Sequence, residues 1–328
     1  MERWNAARLL QQSGSYWQAC VLHTGVRLGL FDLLEPRGRT VEELSSQLGC
    51  SNRGVGLLLD ALVAMGLLVK EAGFYQNTED SHRFLVQSSP DYVGYMIIHH
   101  CYLMEGWTRL VDAVKSGQPL KKGPRDEDER RAFILGMHNT ARGVAPKVAE
   151  AVDLRGSKRL LDLGGGPGTY AIYFCLKNRG LKATVYDLPS TEPFAQQTIS
   201  SYGLSDRIEF YGGDYLSQEL PEGFDVVWVS HIIHSLGPDE VSLVLKKATS
   251  SLIPGGLLLI HDFFLEKGGT SPLFPALFSL NMLINTEKGK SYTEEEVFQI
   301  LQSLGLSEVH RLSFKGPNDS GIISGRLE

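Results

Sequence analysis

The sequence predicts a two-part α/β protein, in which a mostly helical N-terminal region precedes a doubly wound, mostly parallel sheet. In the C-terminal part, short apolar strands alternate with helical stretches, the pattern of parallel strands joined by crossover helices. Helical patterns dominate the first hundred residues. We therefore expect an N-terminal domain over 1–100, bridging helices over 101–150 and an α/β domain over 151–328.

The composition is that of a globular protein: of 328 residues, 42% are hydrophobic and 21% are charged. A net charge of −6 offers no attraction for a polyanion, so we expect a small-molecule ligand and no nucleic acid. No apolar run reaches the length of a membrane span, so no membrane partner is expected. The cysteines lack any Cys-x-x-Cys pair and suit reduced thiols, which predicts a cytoplasmic protein. They are Cys20, Cys50, Cys101 and Cys175.

The N-terminal domain has the element order of a winged helix. Thr40–Glu43 is a capping box that opens a short helix ending near Gly49. A second helix is predicted over about 52–65, and Leu67–Val69 then pairs with Phe74–Gln76 as a small hairpin.

A winged helix can bind DNA or serve as an interaction module. The second helix is rich in apolar residues and carries only Arg53 as a basic side chain, and residues 1–80 hold seven basic and nine acidic side chains. Attraction for phosphate is therefore absent. Because an apolar helix of this kind favours packing against another surface, we predict that the domain forms a homodimer.

Between the two domains, residues 116–130 combine glycine, proline and mixed charge and are predicted to form a surface loop. One helix is expected from about Glu127 to Ala151. It carries apolar residues on one face, among them Phe133 and Met137, and is expected to bridge the domains.

A glycine-rich turn indicates the cofactor. Residues 160–169, Leu-Leu-Asp-Leu-Gly-Gly-Gly-Pro-Gly-Thr, place Asp162, Gly164 and Gly166 where a strand ends and a helix begins. A dinucleotide site needs glycines at i, i+2 and i+5, but counting from Gly164 the third position is Thr169. What remains is a tight turn that suits a methionine-like tail and a ribose, which predicts S-adenosylmethionine. The alternative is that the glycines serve the geometry of the turn alone.

Two further strands end in acidic residues where such a fold holds a nucleoside. The strand 183–187 ends in Asp187, which we place against the ribose diol. The strand 208–211 leads to Asp214 and Tyr215, which we place against adenine. Any one such acid is typically a helix cap or a solvated loop residue, but three in register favour a binding site.

The fourth strand, 225–229, leads into the predicted catalytic region. Ser230 and His231 follow it and are assigned to the cofactor site, and His234 comes next. Since a neutral imidazole can take a proton from a hydroxyl, His234 is our candidate general base, with Asp262 orienting its other ring nitrogen. The alternative is a histidine satisfied at a strand end.

The same histidines also resemble part of a metal site. His231 and His234 lie three residues apart, and His261 and Asp262 after the fifth strand offer further ligands. No closed spacing of a familiar zinc type is present, so we predict that no metal is bound.

Acceptor recognition is expected from the stretch that follows the fifth strand. Four residues at helical spacing can line a flat apolar pocket with one polar group: Phe274, Phe278, Asn281 and Met282. The same spacing is equally well explained by a stripe of side chains that pack into the protein core. A preceding helix offers weaker candidates, whose expected role is core or dimer contact: His99, His100, Met104 and Trp107.

Taken together, these motifs resemble the small-molecule O-methyltransferase family that includes the caffeic acid and acetylserotonin enzymes, over almost the whole chain. The matching segments are Leu161–Gly168, Tyr186–Pro189, Gly213–Tyr215, Phe224–Asp225 with His234 ten residues on, and Leu257–Asp262. The resemblance implies a Rossmann-like class I methyltransferase domain with a seven-stranded sheet and a winged-helix dimerisation domain. It also adds Leu188 to the cofactor site, makes His234 the catalytic base and makes Asp262 one of two flanking acids.

The chain departs from the family pattern at several positions. Ser235 and Leu236 follow the base where plant-type members have Asp and Trp, and Ser230 stands where they often have Lys. Ser291 stands where the second flanking acid is expected. With one acid in place of two, an acceptor whose hydroxyl is already acidic suits the site best.

The function predicted is transfer of a methyl group from S-adenosylmethionine to a hydroxyl of a small aromatic or polyketide-like acceptor, with a histidine base and no metal. Two alternatives remain. The same cofactor and scaffold can serve C-, N- or S-methylation or another reaction. The chain can also be a non-catalytic, S-adenosylmethionine-binding winged-helix regulator, against which the lack of basic residues on the second helix counts.

Overall fold

The computed structural model describes residues 3–120, 123 and 126–328. The chain forms two compact units, one made of Met1–Met104 with Arg125–Asn139 and the other of Glu105–Pro124 with Thr140–Glu328. The segment expected to bridge the domains is divided between these units, and the three-domain boundaries stay a prediction. In the described part of the chain no helix is long and apolar enough to cross a membrane.

The first unit consists of helices and one two-stranded antiparallel sheet, in the order that the winged-helix pattern predicts. Its elements are α1 (Ala6–Gly14), α2 (Tyr16–Arg27), α3 (Leu30–Leu33), α4 (Val41–Leu48), α5 (Asn52–Ala64), β1 (Leu68–Glu71), β2 (Phe74–Asn77) and α6 (Glu79–Leu85). Two helices contain residues of both units, α7 (Gly94–Trp107) and α9 (Glu127–Arg142).

The capping box is formed as predicted. Thr40 Oγ1 accepts from the Glu43 backbone N–H at 3.3 Å, and a Glu43 carboxylate oxygen accepts from the Thr40 N–H at 2.9 Å. In α5 a stripe including Leu59 and Leu62 is buried, but Leu57 is 60% exposed. The second helix is therefore buried along one stripe, and its other face leaves apolar surface for another partner.

The single helix predicted from Glu127 to Ala151 is wrong: α9 ends at Arg142, and a separate helix, α10 (Ala145–Ala151), follows. Pro146 lies in the first turn of α10. Because proline has no N–H and its ring clashes with the carbonyl four residues earlier, a continuous helix cannot pass this point, whereas a helix can begin there.

The predicted loop over 116–130 is only partly described. Lys121, Lys122, Pro124 and Arg125 lie outside the described residues. Before them, the Leu120 N–H donates to the Ile284 carbonyl oxygen at 3.0 Å. The helix predicted to begin at about Glu127 does begin there, so the predicted loop ends before residue 127.

The second unit is a seven-stranded sheet with helices between its strands. Its remaining elements are α8 (Leu110–Ser116), β3 (Arg159–Leu163), α11 (Thr169–Lys177), β4 (Lys182–Asp187), α12 (Glu192–Ser201), β5 (Ile208–Gly212), β6 (Phe224–Ser230), α13 (Pro238–Ser250), β7 (Leu252–Phe263), α14 (Leu273–Asn285), α15 (Glu294–Ser303), β8 (Leu306–Arg311) and β9 (Ser320–Leu327). All five strands predicted from the sequence are present. The sheet is mostly parallel, as predicted.

The strand order places a crevice at the centre of the sheet. The order is β5-β4-β3-β6-β7-β9-β8, and β9 runs antiparallel to both of its neighbours, β7 and β8. The chain winds outward from β3 to β5 and then returns to place β6 beside β3, with Leu163 opposite Val229. A ligand crevice forms beyond the carboxyl ends of the strands at such a reversal of direction.

Candidate active site

The glycine turn lies at this reversal point. Gly164 and Gly166 adopt φ values of +63° and +54°, which residues other than glycine rarely adopt. A Cβ at Gly164 would overlap the Ile232 side chain, whereas one at Gly166 would meet no atom within 4 Å. The first glycine is therefore required for packing, and the second leaves open space where a ligand can approach the backbone.

Asp187 ties the end of β4 to this turn. One carboxylate oxygen accepts from the Gly166 N–H at 2.8 Å, and the other accepts from the Leu188 N–H at 2.7 Å and from Thr191 Oγ1 at 3.2 Å. Burial raises the pKa of Asp187, while these hydrogen bonds oppose the shift. The structure therefore brings Gly166, Asp187 and Leu188 together as the sequence predicts.

Asp162 lies beneath the turn and is 1% exposed. One carboxylate oxygen accepts from the Ala171 N–H at 3.2 Å, which joins β3 to the first turn of α11. The other is buried and has no partner among the described residues. Burial raises the pKa of Asp162 to about 7. An orphaned acid beside an open glycine turn fits the cationic amine of a methionine-type cofactor.

Asp214 and Tyr215 follow β5 at the same edge of the sheet. The Asp214 carboxylate accepts from the Leu216 N–H and from Ser217 Oγ, each at 2.9 Å, so a local turn fixes its position. The Tyr215 ring lies 3.7 Å from the point where a Gly164 Cβ would stand. Burial raises the Tyr215 pKa to about 12, so the phenol is neutral. A flat side chain thus borders the glycine turn.

Ser230 and His231 continue β6 past the reversal point. Ser230 Oγ lies 3.0 Å from Nδ1 of the fully buried His261. His231 has a φ of +56° and donates its backbone N–H to the His261 carbonyl oxygen at 2.8 Å. A non-glycine residue in this left-handed region is strained, and such strain clusters at functional sites.

His234 and Asp262 form a hydrogen-bonded dyad. His234 Nδ1 lies 2.7 Å from an Asp262 carboxylate oxygen, which also accepts from the Phe263 N–H at 2.8 Å. Asp262 is 2% exposed, and burial alone would raise its pKa, but His234 and His231 hold it well below the usual range. Since the carboxylate is an anion and can only accept, Nδ1 of His234 carries a hydrogen, and Nε2 is the ring nitrogen left to exchange a proton with a ligand.

Three of these side chains also meet the distance condition for a metal-ligand set. One ligand atom each of His231, His234 and Asp262 lies within 4.8 Å of the other two. His261, the further ligand considered from the sequence, is bound instead to Ser230 and Ser320 hydroxyls. The Asp262 oxygen nearest His231 already accepts two hydrogen bonds, which leaves it little capacity for an ion. The absence of a metal stays a prediction.

Aromatic side chains pack around the two histidines next to Asp262. The Phe278 ring meets the His234 ring edge-on at a centroid distance of 4.8 Å. Phe274 and Phe263 pack against Phe278 at 5.7 Å and 4.9 Å, and Phe263 also lies 4.6 Å from His231. Sequence reasoning missed Phe263, although its position directly after Asp262 at the carboxyl end of β7 is a signal for it.

The predicted polar group of this region, Asn281, is buried on α14 with its neighbour Met282. Its side-chain oxygen accepts from Trp107 Nε1 at 3.1 Å. Trp107 therefore meets the predicted acceptor residues, a contact that sequence spacing could not reveal. Ser291 is 2% exposed, and its hydroxyl donates to the Pro275 carbonyl oxygen at 2.8 Å, so it supports the start of α14.

Comparisons with known proteins agree with this fold. Residues 108–307 match the family model of the O-methyltransferase domain, and residues 10–87 match that of the O-methyltransferase dimerisation domain. A 3-hydroxy-5-methyl-1-naphthoate 3-O-methyltransferase of Streptomyces sahachiroi is 32% identical over 94% of this chain and 92% of its own. A tetracenomycin polyketide synthesis 8-O-methyltransferase of Streptomyces glaucescens is 32% identical over 96% and 95%. Human N-acetylserotonin methyltransferase, solved with S-adenosylmethionine, superposes with a TM-score of 0.87 at 28% identity over 99% of both chains.

The fold and the site thus define a class I methyltransferase that depends on S-adenosylmethionine. The chain belongs to the O-methyltransferase family with an N-terminal dimerisation domain.

Proposed function

We propose that the protein methylates a hydroxyl group of a small aromatic or polyketide-like acceptor, with His234 as general base. The observation that carries this proposal is the dyad: His234 is oriented by a buried carboxylate at 2.7 Å and faces an aromatic cluster through Phe278. A flat acceptor that stacks in such a cluster presents its hydroxyl to the imidazole. The names of the two Streptomyces relatives refer to a naphthoate and a polyketide, which supports this acceptor class.

When bound, the cofactor would supply an electrophilic methyl group on its sulfonium, and its sulfur would leave as a neutral thioether once the methyl group passes to the acceptor oxygen. His234 Nε2 takes the proton of the acceptor's hydroxyl, which makes that oxygen nucleophilic. Asp262 keeps Nδ1 as the donor and stabilises the imidazolium that results. Phe278 and Phe274 exclude water and hold the acceptor in line with the methyl group.

The residues around the glycine turn are proposed to hold the cofactor. Asp162 and the open turn at Gly164 and Gly166 suit the methionine part of the cofactor. Asp187 and Leu188 suit its ribose, and Asp214 and Tyr215 suit its adenine. Ser230 and His231 border the same crevice. These assignments are supported by position at the carboxyl ends of β3 to β6. A metal has no step in this mechanism.

Turnover with a panel of hydroxyarenes tests the proposal. We expect His234→Ala to lower kcat by about 10²-fold or more, because general-base catalysis contributes that much, while the calorimetric Kd for S-adenosylhomocysteine stays unchanged. Lys246→Ala on the far helix α13 is the matched control. Wild-type rates that fall on treatment with EDTA and recover with a divalent ion would instead support the metal set. Binding of the cofactor without turnover of any hydroxyarene would favour the alternative that the protein is a non-catalytic, S-adenosylmethionine-binding regulator.

The same proposal includes a homodimer formed by the N-terminal unit and no nucleic-acid partner. The match to the dimerisation-domain family supports the homodimer. Two large apolar side chains, Leu10 on α1 at 74% exposure and Trp17 on α2 at 68%, offer a surface for the dimer interface. The excess of acidic over basic residues supports the expectation that no nucleic acid is bound.

A further inference from the structure

The backbone turn that carries His234 is packed tightly against a second backbone segment. Residues 286–292, which follow α14, lie against residues 234–237. A Cβ at Gly289 would stand 2.5 Å from the His234 carbonyl oxygen and 3.0 Å from the Ser235 carbonyl carbon. Gly289 does not have a positive φ, so glycine is required here for the close approach and not for the backbone conformation.

Other contacts hold the two segments together. Tyr292 Oη donates to the Leu236 carbonyl oxygen at 2.7 Å, and both residues are buried. A Cβ at Gly237 would lie 2.9 Å from Cβ of Lys288, so the packing is close there as well. A side chain at position 289 therefore could not be accommodated by lifting the segment away, because that movement would leave a buried carbonyl without its donor.

The same segment is fixed to the helix that carries the aromatic cluster. Thr286 Oγ1 accepts from the Gly289 N–H at 3.0 Å and donates to the Met282 carbonyl oxygen at 2.8 Å, near the end of α14. Phe278 of α14 packs against the His234 ring. The backbone of His234 and the ring that covers its imidazole thus share one support.

The imidazole has little freedom to compensate for a displaced backbone. Its Nδ1 is bound to the buried Asp262 at 2.7 Å, and the Phe278 ring lies 4.8 Å from it between centroids. A shift of the His234 carbonyl therefore moves Nε2 or stretches the bond to Asp262. A misplacement of about 1 Å can cost about 10²-fold in rate.

We infer that Gly289 and Tyr292 are positioning residues that set the place of the His234 imidazole through the backbone of residues 234–237. This inference rests on the proposed function. Because both residues act through the base, their replacement should slow the methylation of acceptors that must lose a proton. An acceptor that is already ionised needs no base and should be methylated almost as before.

The experiment compares two acceptors with one ring frame at neutral pH: 4-ethyl-1-naphthol, whose hydroxyl is neutral, and 4-nitro-1-naphthol, whose hydroxyl is ionised. The kcat and KM of each are measured for Gly289→Ala, Tyr292→Phe and His234→Ala, together with the Kd for S-adenosylhomocysteine. Tyr292→Phe removes one hydrogen bond and keeps the ring, so it tests the inference even where Gly289→Ala does not fold. Gly180→Ala is the matched control, because a Cβ there would meet only Lys158 Nζ, at 3.8 Å.

We expect Gly289→Ala to lower kcat for the ethyl acceptor by about tenfold or more, and Tyr292→Phe to lower it by a smaller factor. The KM, the Kd and the rate with the nitro acceptor should stay close to the wild-type values. Equal loss with both acceptors, or no loss, in a folded variant would overturn the inference for that residue. If His234→Ala slows both acceptors equally, or the wild type methylates neither, the proposed function fails and the inference fails with it.

Discussion

At the scale of single residues, the site depends on two buried carboxylates with opposite environments. Asp262 faces two imidazoles, which hold its pKa well below the usual range against the effect of burial. Asp162 faces one backbone N–H, and burial raises its pKa to about 7. The first acid is therefore an anion that can orient the proposed base, whereas the second can change its charge when a cationic ligand binds.

Asp262→Asn is expected to lower kcat by about 10²-fold or more, because the amide cannot stabilise an imidazolium and can hold the wrong tautomer of His234. The rate should recover partly at alkaline pH, where the acceptor's hydroxyl ionises without a base. The pH profile of kcat for the wild type and the variant measures this. A variant whose rate is equally low at every pH would show that Asp262 has only a structural role.

Asp162→Asn is expected to change the pH dependence of stability in the cofactor-free protein. A raised folded-state pKa means that the folded state binds the proton more tightly than the unfolded chain, so Asp162 lowers stability as pH rises from about 4 to about 7. The amide is neutral throughout and removes this contribution. Urea unfolding at pH 4.5 and pH 7.5 checks it. The variant should gain stability over the wild type at the higher pH only, and an equal difference at both values would contradict the assignment.

At the scale of elements, the sequence predicts which residues lie at the carboxyl ends of the parallel strands. Asp187, His234 and Asp262 follow apolar strands, so their shared edge of the sheet was predictable from order alone. The contact between Trp107 and Asn281 was not, because it joins residues far apart in sequence and depends on how α7 and α14 pack. The break before α10 had a local signal in Pro146 that the apolar periodicity outweighed.

Asp187→Ala is expected to weaken binding of S-adenosylhomocysteine by about tenfold or more, because the change removes a ribose acceptor and the bond that fixes the Gly166 backbone. Calorimetric titration measures the Kd. Asp153→Ala, an exposed acid of the same unit, is the control and should bind like the wild type. An unchanged Kd in Asp187→Ala would remove this residue from the cofactor site.

At the scale of the whole molecule, the proposed function assigns catalysis to the second unit and self-association to the first. The described dyad, glycine turn and aromatic cluster all belong to the second unit. The first unit carries a winged helix whose second helix has only Arg53 as a basic residue and an exposed leucine, Leu57. An apolar and slightly acidic surface suits self-association and does not suit nucleic acid.

Leu10→Glu combined with Trp17→Glu is expected to convert a dimer to a monomer in light scattering, because a charge placed on each apolar side chain cannot be buried in an interface without a partner. Leu243→Glu, an exposed change on α13, is the matched control and should stay dimeric. The monomer should keep its affinity for S-adenosylhomocysteine, since the proposed cofactor residues lie in the second unit alone. A double variant that stays dimeric would place the interface elsewhere, and a monomer that no longer binds the cofactor would mean that the second unit depends on its partner.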